Sequence, residues 1–169
     1  MLKQLDWIVE MIKTNGKETP KTIVFCDTMY SIASSVSHKE YKDRLLNSFK
    51  NNGLKRIANA TTALSMGLNF PDVCYVIMYG PARSLLDFHK EAGRAGRDGL
   101  SLDILLYFYG QKLAHCEEDV RDILKISGCY RIASYKTFDP EIASLSPSYD
   151  CCFLCLQWFK WLYRISQAI

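Results

Sequence analysis

Residues 73–79 read VCYVIMY, an uninterrupted run of apolar side chains that contains no charge. Short runs of this kind are typical of strands that are covered on both faces, as in a parallel sheet. Three further runs resemble it: Thr22–Cys26, Arg56–Ala60 and Asp103–Tyr109. The sequence therefore predicts four strands that belong to one mainly parallel sheet.

Amphipathic patterns with helical spacing flank and separate these runs. They cover Leu2–Lys13, Lys39–Lys50, Ser84–Arg97 and Leu113–Ile126. Because strands and helices alternate, we expect right-handed crossovers and an α/β layer fold. In such folds the functional side chains occupy loops beyond the carboxyl ends of the strands.

The composition indicates one globular domain with a small appendage. Of the 169 residues, 49% are apolar and 23% are charged. The net charge of +3 gives no strong overall field, so nucleic-acid binding would depend on local patches. The pattern predicts one α/β domain over residues 1–126 and a cysteine-containing appendage with an aromatic tail over residues 127–169.

The sequence carries neither the pattern of a membrane span nor that of a signal peptide. No apolar run approaches the roughly 18 residues that a membrane helix needs, and the first residues lack a basic-then-apolar layout. We therefore expect an intracellular, soluble protein with no membrane partner. The seven cysteines are then expected to be reduced, buried or metal-bound rather than paired as disulfides.

Two arginines stand three residues apart in the segment GRAGRDG, residues 93–99. A helix that begins at Ser84, with Asp87 completing its cap, would carry Arg94 and Arg97 on one side of its last turn. Two guanidinium groups aimed together suit an oligophosphate, whose developing charge they would neutralise. The alternative is a solvated helix end, where arginines meet the negative end of the helix dipole.

Small and hydroxylated side chains follow the second predicted strand in the segment NATTALSMGLNFPD, residues 59–72. Thr61, Thr62 and Ser65 can hydrogen-bond phosphate or sugar oxygens, and Gly67 permits close approach of a nucleic-acid strand. The alternative is a short capped helix followed by a Pro–Asp turn.

The order of three blocks resembles the second RecA-like domain of superfamily 2 helicases, and more narrowly the RecQ family of DNA helicases. The blocks are Thr22–Cys26, residues 60–73 and residues 91–99, and the string AGRAGRDG at residues 92–99 is the most specific part. The similarity runs from about Lys21 to Asp122. Cys129 and the later cysteines are similar to the zinc-binding subdomain of that family and extend the resemblance to Cys155.

The resemblance implies the C-terminal lobe of an ATP-dependent 3′ to 5′ DNA helicase that acts in recombination and repair. It makes Arg94 and Arg97 the arginine fingers for an ATP, with Mg²⁺, that an N-terminal lobe holds. The implied DNA partner is single-stranded or an unwinding duplex, and the implied location is the nucleus in a eukaryote and the cytoplasm otherwise. Four residues would contact the DNA backbone: Thr61, Thr62, Ser65 and Asp72.

The resemblance also implies a structural zinc site in the appendage. Cys129, Cys152 and Cys155 match three of its ligand positions, and the fourth position falls on Tyr149, two residues before Cys151. Cys151 would have to supply the missing thiolate after a change of register. The remaining cysteines are predicted to be small buried hydrophobic residues: Cys26, Cys74 and Cys116.

Several departures from the family pattern leave other functions open. The sequence contains no G-x-x-x-x-G-K-[ST] loop, so this chain alone is expected to hydrolyse ATP negligibly. His89 stands where RecQ proteins carry Gln and DEAD-box RNA helicases carry His, and the stretch Thr28–His38 is shorter than in the family. The alternatives are a non-catalytic module that binds nucleic acid or a helicase partner, and an RNA helicase lobe.

Overall fold

The computed structural model describes residues 5–26, 40, 43–44, 47–49, 53–61, 72–94, 102–108 and 113–157. The chain forms two compact units, Met1–His115 and Cys116–Ile169. Each unit is described by itself below. The division falls within the predicted helix Leu113–Ile126, which the sequence pattern groups with the first unit.

In the described part of the first unit, four strands form a parallel sheet. They are β1 (Lys21–Cys26), β2 (Ile57–Ala60), β3 (Val73–Tyr79) and β4 (Asp103–Tyr107), in the order β2-β1-β3-β4. Val24 pairs with Asn59 on one side and with Ile77 on the other, and Ile77 pairs with Leu105. The predicted strands and the α/β parallel-sheet class are confirmed.

Side chains of the strands point alternately to the two faces of this sheet. Because the strand sequences are largely apolar, both faces carry apolar side chains. One face holds a core that includes Ile23, Val76, Met78 and Phe49, all with 0% exposure. On the other face Val24 and Ile77 pack with Ile8 of helix α1 (Asp6–Asn15). Both faces are therefore buried, which is why the strand sequences lack an apolar–polar alternation.

Aromatic side chains complete the second face. Trp7, Tyr79 and Tyr107 are partly buried and pack against this core. The indole N–H of Trp7 donates to the Tyr107 hydroxyl at 3.1 Å, so both polar groups have a partner. Tyr109 lies outside the described residues.

The helices follow the predicted order with different ends. Helix α1 stops where Gly16 takes a φ of 52°, a left-handed conformation that favours glycine. Residues 40, 43–44 and 47–49 are helical, within the predicted Lys39–Lys50 segment. Helix α2 covers Leu85–Ala92. The stretch Thr28–His38 lies outside the described residues.

Within its described residues, 116–157, the second unit contains three helical segments and a short 3₁₀ turn. Helix α3 covers Glu118–Lys125, because residues 114–117 form a turn and an extended N-cap instead of the predicted helix start. Helix α4 covers Tyr130–Tyr135, the 3₁₀ turn covers Ser148–Asp150, and residues 153–157 are helical. Among the residues that the structure describes, no helix is long and apolar enough to cross a membrane.

The prediction for the three isolated cysteines is correct for one of them. Cys116 is buried, whereas Cys26 and Cys74 are partly exposed. Cys26 is the last residue of β1 and Cys74 is the second residue of β3. Residues near strand ends are less covered than those at the centre of the sheet, so the prediction of burial was wrong for Cys26 and Cys74.

Candidate functional site

The carboxyl ends of the parallel strands share one edge of the sheet, where α/β proteins bind their ligands. A pocket of about 90 Å³ opens there beside the ends of β1 and β3. Gly80, directly after β3, has a φ of 111°, which permits the turn that leads out of the sheet. The pocket is lined by Phe25, Cys26, Gly80, Pro81, Ala82, Arg83, Asp87 and Glu91.

Helix α2 begins at this pocket. The Ser84 hydroxyl accepts a hydrogen bond from the backbone N–H of Asp87 at 3.1 Å, so the predicted N-cap is confirmed. Asp87 also pairs with Lys90 at 3.4 Å, one turn along the helix. The cap fixes the residue at which α2 begins. It therefore also fixes the position of the residues that follow the C-terminal end of the helix.

Arg94 lies in the turn after α2 and not in its last helical turn. The prediction that the helix reaches Arg97 was wrong, because Gly93 caps the helix and the Arg94 N–H bonds the Glu91 carbonyl at 3.2 Å. The Nε atom of Arg94 is buried and has no hydrogen-bond partner among the described residues. An anion's oxygen would satisfy that donor. Arg97 lies outside the described residues.

The predicted nucleic-acid contacts do not share one edge of the sheet. Thr61 directly follows β2 and therefore lies at the carboxyl edge, on the same side as the pocket. Asp72 directly precedes β3 and lies at the opposite, amino edge. It has a φ of 58°, and its carboxylate is 3.4 Å from the ammonium group of Lys21. Thr62 and Ser65 lie outside the described residues.

Lys21 is a polar anchor that the sequence analysis missed. It is 4% exposed, and its Nζ donates to the Phe49 carbonyl at 2.5 Å and to Asp72 at 3.4 Å. The ammonium also lies 5.8 Å from the centre of the Phe49 ring. A buried charge needs such partners. The sequence signal for this ion pair was that Lys21 and Asp72 each directly precede an apolar run that is predicted to be a strand.

The second unit gathers the four predicted metal ligands. Sγ atoms of Cys129, Cys151, Cys152 and Cys155 all lie within 4.8 Å of one another. Two of these separations are 3.5 Å, between Cys129 and Cys151 and between Cys152 and Cys155. Cys151 thus supplies the fourth thiol, two residues after Tyr149.

These distances fit a tetrahedral thiolate site. With metal–sulfur bonds near 2.3 Å, zinc would hold its four sulfurs about 3.8 Å apart, close to the observed 3.5 Å pairs. A disulfide would need a separation of about 2.05 Å. Four thiolates favour zinc or an iron–sulfur cluster over hard cations such as Mg²⁺.

Three thiols of the cluster have shifted pKa values, and the shifts differ in direction. Burial raises the pKa of the Cys155 thiol, and its hydrogen bond to Cys152 raises it further. Burial also acts to raise the pKa of Cys152, but hydrogen bonds from backbone groups of Cys155 and Tyr130 and from neighbouring thiols outweigh it and lower that pKa. The Cys151 pKa is raised, mainly by burial. Of Cys151, Cys152 and Cys155, Cys152 therefore ionises most readily.

Residues 3–99 match the family described as the helicase conserved C-terminal domain. This range is more than half of the 169-residue chain. The chain belongs to that family. The helicase C-terminal domain match includes the strand ends, the pocket and α2, and it precedes the cysteine cluster.

Similar proteins include several RecQ-type helicases, as the sequence resemblance indicated. ATP-dependent DNA helicase Q-like 2 of Arabidopsis thaliana is 30% identical over 109 residues, which cover 56% of this chain and 15% of the relative. ATP-dependent helicase wrn-1 of Caenorhabditis elegans is 33% identical over 120 residues, covering 58% and 11%.

An RNA helicase name also occurs among the relatives. Protein R290 of Acanthamoeba polyphaga mimivirus, named for ATP-dependent RNA helicase activity, is 40% identical over 87 residues, covering 49% of this chain and 16% of the relative. The chain therefore spans about one sixth or less of the length of these three relatives.

Solved structures support the fold. Domain 2 of the DEAD-box helicase Mss116p aligns with a TM-score of 0.53 at 19% identity, covering 73% of this chain and 54% of that chain. The DEAD-box protein SrmB of E. coli aligns with a TM-score of 0.50 at 15% identity, covering 61% and 68%. At these identities the likeness concerns the fold alone.

Proposed function

We propose that this chain is the C-terminal lobe of a RecQ-type ATP-dependent DNA helicase that moves 3′ to 5′ in recombination and repair. ATP and Mg²⁺ bind to an N-terminal lobe in the same or another chain. Closure of the cleft brings Arg94 and Arg97 to the γ-phosphate, where their guanidinium groups stabilise the charge that develops during transfer. In a eukaryote this work would take place in the nucleus.

The observation that carries the RecQ assignment is the cluster of four thiols that follows the helicase domain along the chain. The similarity to RecQ-type relatives supports it independently. The orphaned Nε of Arg94 supports an anionic ligand at the end of α2.

Nucleic acid would bind along the carboxyl edge of the sheet. Thr61 lies at that edge, and the segment that contains Thr62 and Ser65 follows it directly. Hydroxyl groups suit backbone phosphates, which fix the position of a strand without reading its sequence. Asp72 lies at the other edge and is proposed to act through its bond to Lys21, which fixes the point where this segment re-enters the sheet.

The four thiols would hold one structural Zn²⁺. Cys129, Cys151, Cys152 and Cys155 each contribute a thiolate, which gives a closed site without an open position for a substrate. Through these thiolates, zinc would tie the start of α4 to residues 151–155. Such ties stabilise small units that lack a large core.

The RNA helicase lobe is the second candidate, and the viral relative favours it. The two candidates differ in the kind of nucleic acid, DNA or RNA, that stimulates ATP hydrolysis. The chain would be mixed with a separately purified P-loop lobe of a RecQ relative, and hydrolysis would be measured with a DNA oligonucleotide and with its RNA counterpart. We expect stimulation by DNA that weakens with added salt.

Other outcomes of that assay would contradict the RecQ proposal. Stimulation by RNA alone would favour contacts to the ribose 2′-hydroxyl and an RNA helicase lobe. Salt-sensitive DNA binding without any hydrolysis would favour a non-catalytic binding module.

A further inference from the structure

In the four-thiol cluster of the second unit, two pairs of sulfur atoms lie in direct contact. Cys129 and Cys151 are 3.5 Å apart, and so are Cys152 and Cys155. All four cysteines are only partly buried, so a small oxidant can reach them. The same four sulfurs can therefore be arranged either around one metal ion or as two bonded pairs.

We propose that this cluster is a peroxide-sensitive zinc switch, in which oxidation expels Zn²⁺ and closes the disulfides Cys129–Cys151 and Cys152–Cys155. The proposal rests on the zinc site proposed above. Its oxidant is a hydroperoxide, of which hydrogen peroxide is the simplest member.

The chemistry of each pair balances with one peroxide. A thiolate sulfur attacks a peroxide oxygen, the O–O bond breaks, and the released hydroxide takes a proton to become water. The resulting sulfenic acid is attacked by the partner thiolate, which forms the S–S bond and releases the second oxygen as water. Each pair gives up two electrons, so two peroxides and four protons convert the zinc tetrathiolate into two disulfides, Zn²⁺ and four waters.

Geometry selects this pairing over the other two possibilities. Joining Cys151 to Cys152 is disfavoured, because neighbouring Cα atoms are about 3.8 Å apart and disulfides need about 4.4 Å or more. The pairing of Cys129 with Cys155 would leave Cys151 and Cys152 to join each other, so this pairing is disfavoured as well. The remaining partition would join Cys129 to Cys152 and Cys151 to Cys155, and neither of those pairs is among the two at 3.5 Å.

The backbone around the cluster favours the same result. Cys152 directly precedes the helical residues 153–157, and Cys155 lies in the first turn, so this C-x-x-C pair is held on one local element. Cys129 caps α4, and Cys151 follows the 3₁₀ turn. The Cys129–Cys151 bond would therefore keep the two ends of residues 129–151 together after zinc has left.

The test uses the full chain, first reduced and loaded with Zn²⁺. Hydrogen peroxide is added, zinc release is followed with a coloured chelator, and the cysteines are alkylated and mapped by mass spectrometry. We expect two peroxides to be consumed for each zinc released and the Cys129–Cys151 and Cys152–Cys155 links to dominate. Dithiothreitol with Zn²⁺ should restore the loaded form. Cys26, Cys74 and Cys116 should remain alkylatable and serve as internal controls.

Variants make the pairing falsifiable. Cys151→Ser should abolish the Cys129–Cys151 disulfide and leave the Cys152–Cys155 disulfide intact, whereas Cys74→Ser should change neither disulfide. Other linkages, sulfinic acids as the main product, or zinc that stays bound through oxidation would overturn the switch.

A parallel run on the metal-free chain separates the two proposals. If the reduced chain binds no zinc, the zinc site fails, while the two predicted links in the metal-free chain would still support the pairing. If zinc binds with one ion per chain but the links differ, the switch alone fails.

Discussion

At the scale of single residues, buried Lys21 shows how one charge can organise an edge of the sheet. Its partners are the carbonyl of Phe49 and the carboxylate of Asp72, and only the first is shielded from water. The Asp72 side chain is 64% exposed, so solvent screens its attraction to Lys21. The neutral carbonyl therefore contributes more to holding the ammonium than the opposite charge does.

Alanine substitutions at this pair should be unequal. We expect Lys21→Ala to lower the free energy of unfolding by about 1–3 kcal/mol, because it removes a buried hydrogen bond and buried side-chain packing. Asp72→Ala should cost less than about 1 kcal/mol. The measurement is urea denaturation followed by circular dichroism.

The exposed pair between Lys13 and Glu10 provides the control. Its side chains are 65% and 68% exposed, so Lys13→Ala should change stability by less than about 0.5 kcal/mol. An Asp72→Ala loss as large as that of Lys21→Ala would contradict this interpretation.

The residue scale also shows what sequence reasoning missed. Lys21 stands at the start of a run that the apolar pattern predicts as a buried strand, and a charged residue there gives no sign of its partner. The partner carbonyl of Phe49 lies 28 positions away, and only the fold brings the two together. Long-range polar contacts of this kind depend on tertiary geometry.

At the scale of elements, the strands were predictable because burial on both faces leaves a direct mark in the sequence. Helix ends were harder, as α2 shows. Apolar spacing extends the predicted helix to Arg97, but Gly93 ends it after Ala92. Glycine has a low helix propensity and readily forms a C-cap, so a local effect overrode the periodic pattern.

The cap of α2 provides a prediction at this scale. Ser84→Ala removes the acceptor for the Asp87 N–H and should lower the free energy of unfolding by about 0.5–2 kcal/mol. Ser84→Asp, which can accept the same bond, should retain most of the stability. The free energy of unfolding of both variants would be measured by urea denaturation. Equal losses of stability in the two variants would contradict a stabilising role of the cap.

At the scale of the whole molecule, the chain combines a helicase C-terminal domain with a unit built around cysteines. The four cysteine identities were predictable from the resemblance, whereas their mutual distances were not. The sequence places Tyr149 at the fourth ligand position, and the fold brings in the Cys151 thiol instead. A shift of two residues in a short turn is set by packing and cannot be derived from spacing.

Zinc stoichiometry tests the second unit directly. We expect one Zn²⁺ per chain by elemental analysis after dialysis, with at least a tenfold loss of affinity in Cys151→Ser because the fourth thiolate is gone. Tyr149→Phe is the matched control and should retain full binding. If Tyr149→Phe lost the metal and Cys151→Ser kept it, the assignment of ligands would be wrong.

The affinity for zinc should rise with pH. Burial raises the pKa of Cys151 and Cys155, so both are protonated near neutral pH and must lose a proton before they bind the metal. Protons therefore compete with zinc, and lowering the pH should weaken binding. Calorimetry in buffers of different ionisation enthalpy should detect at least two protons released per zinc at pH 7. An affinity independent of pH would contradict the proposed thiolate ligands.

The central claim is that this lobe completes an ATP site whose phosphate-binding loop lies elsewhere. Its most direct test is DNA-stimulated ATP hydrolysis by the chain mixed with a P-loop lobe. The double variant Arg94→Ala, Arg97→Ala would be compared with Arg56→Ala, which changes an arginine just before β2, at the amino edge. We expect the double variant to lose about 10³-fold or more of the stimulated rate and Arg56→Ala to retain it. Full activity in the double variant would contradict the account.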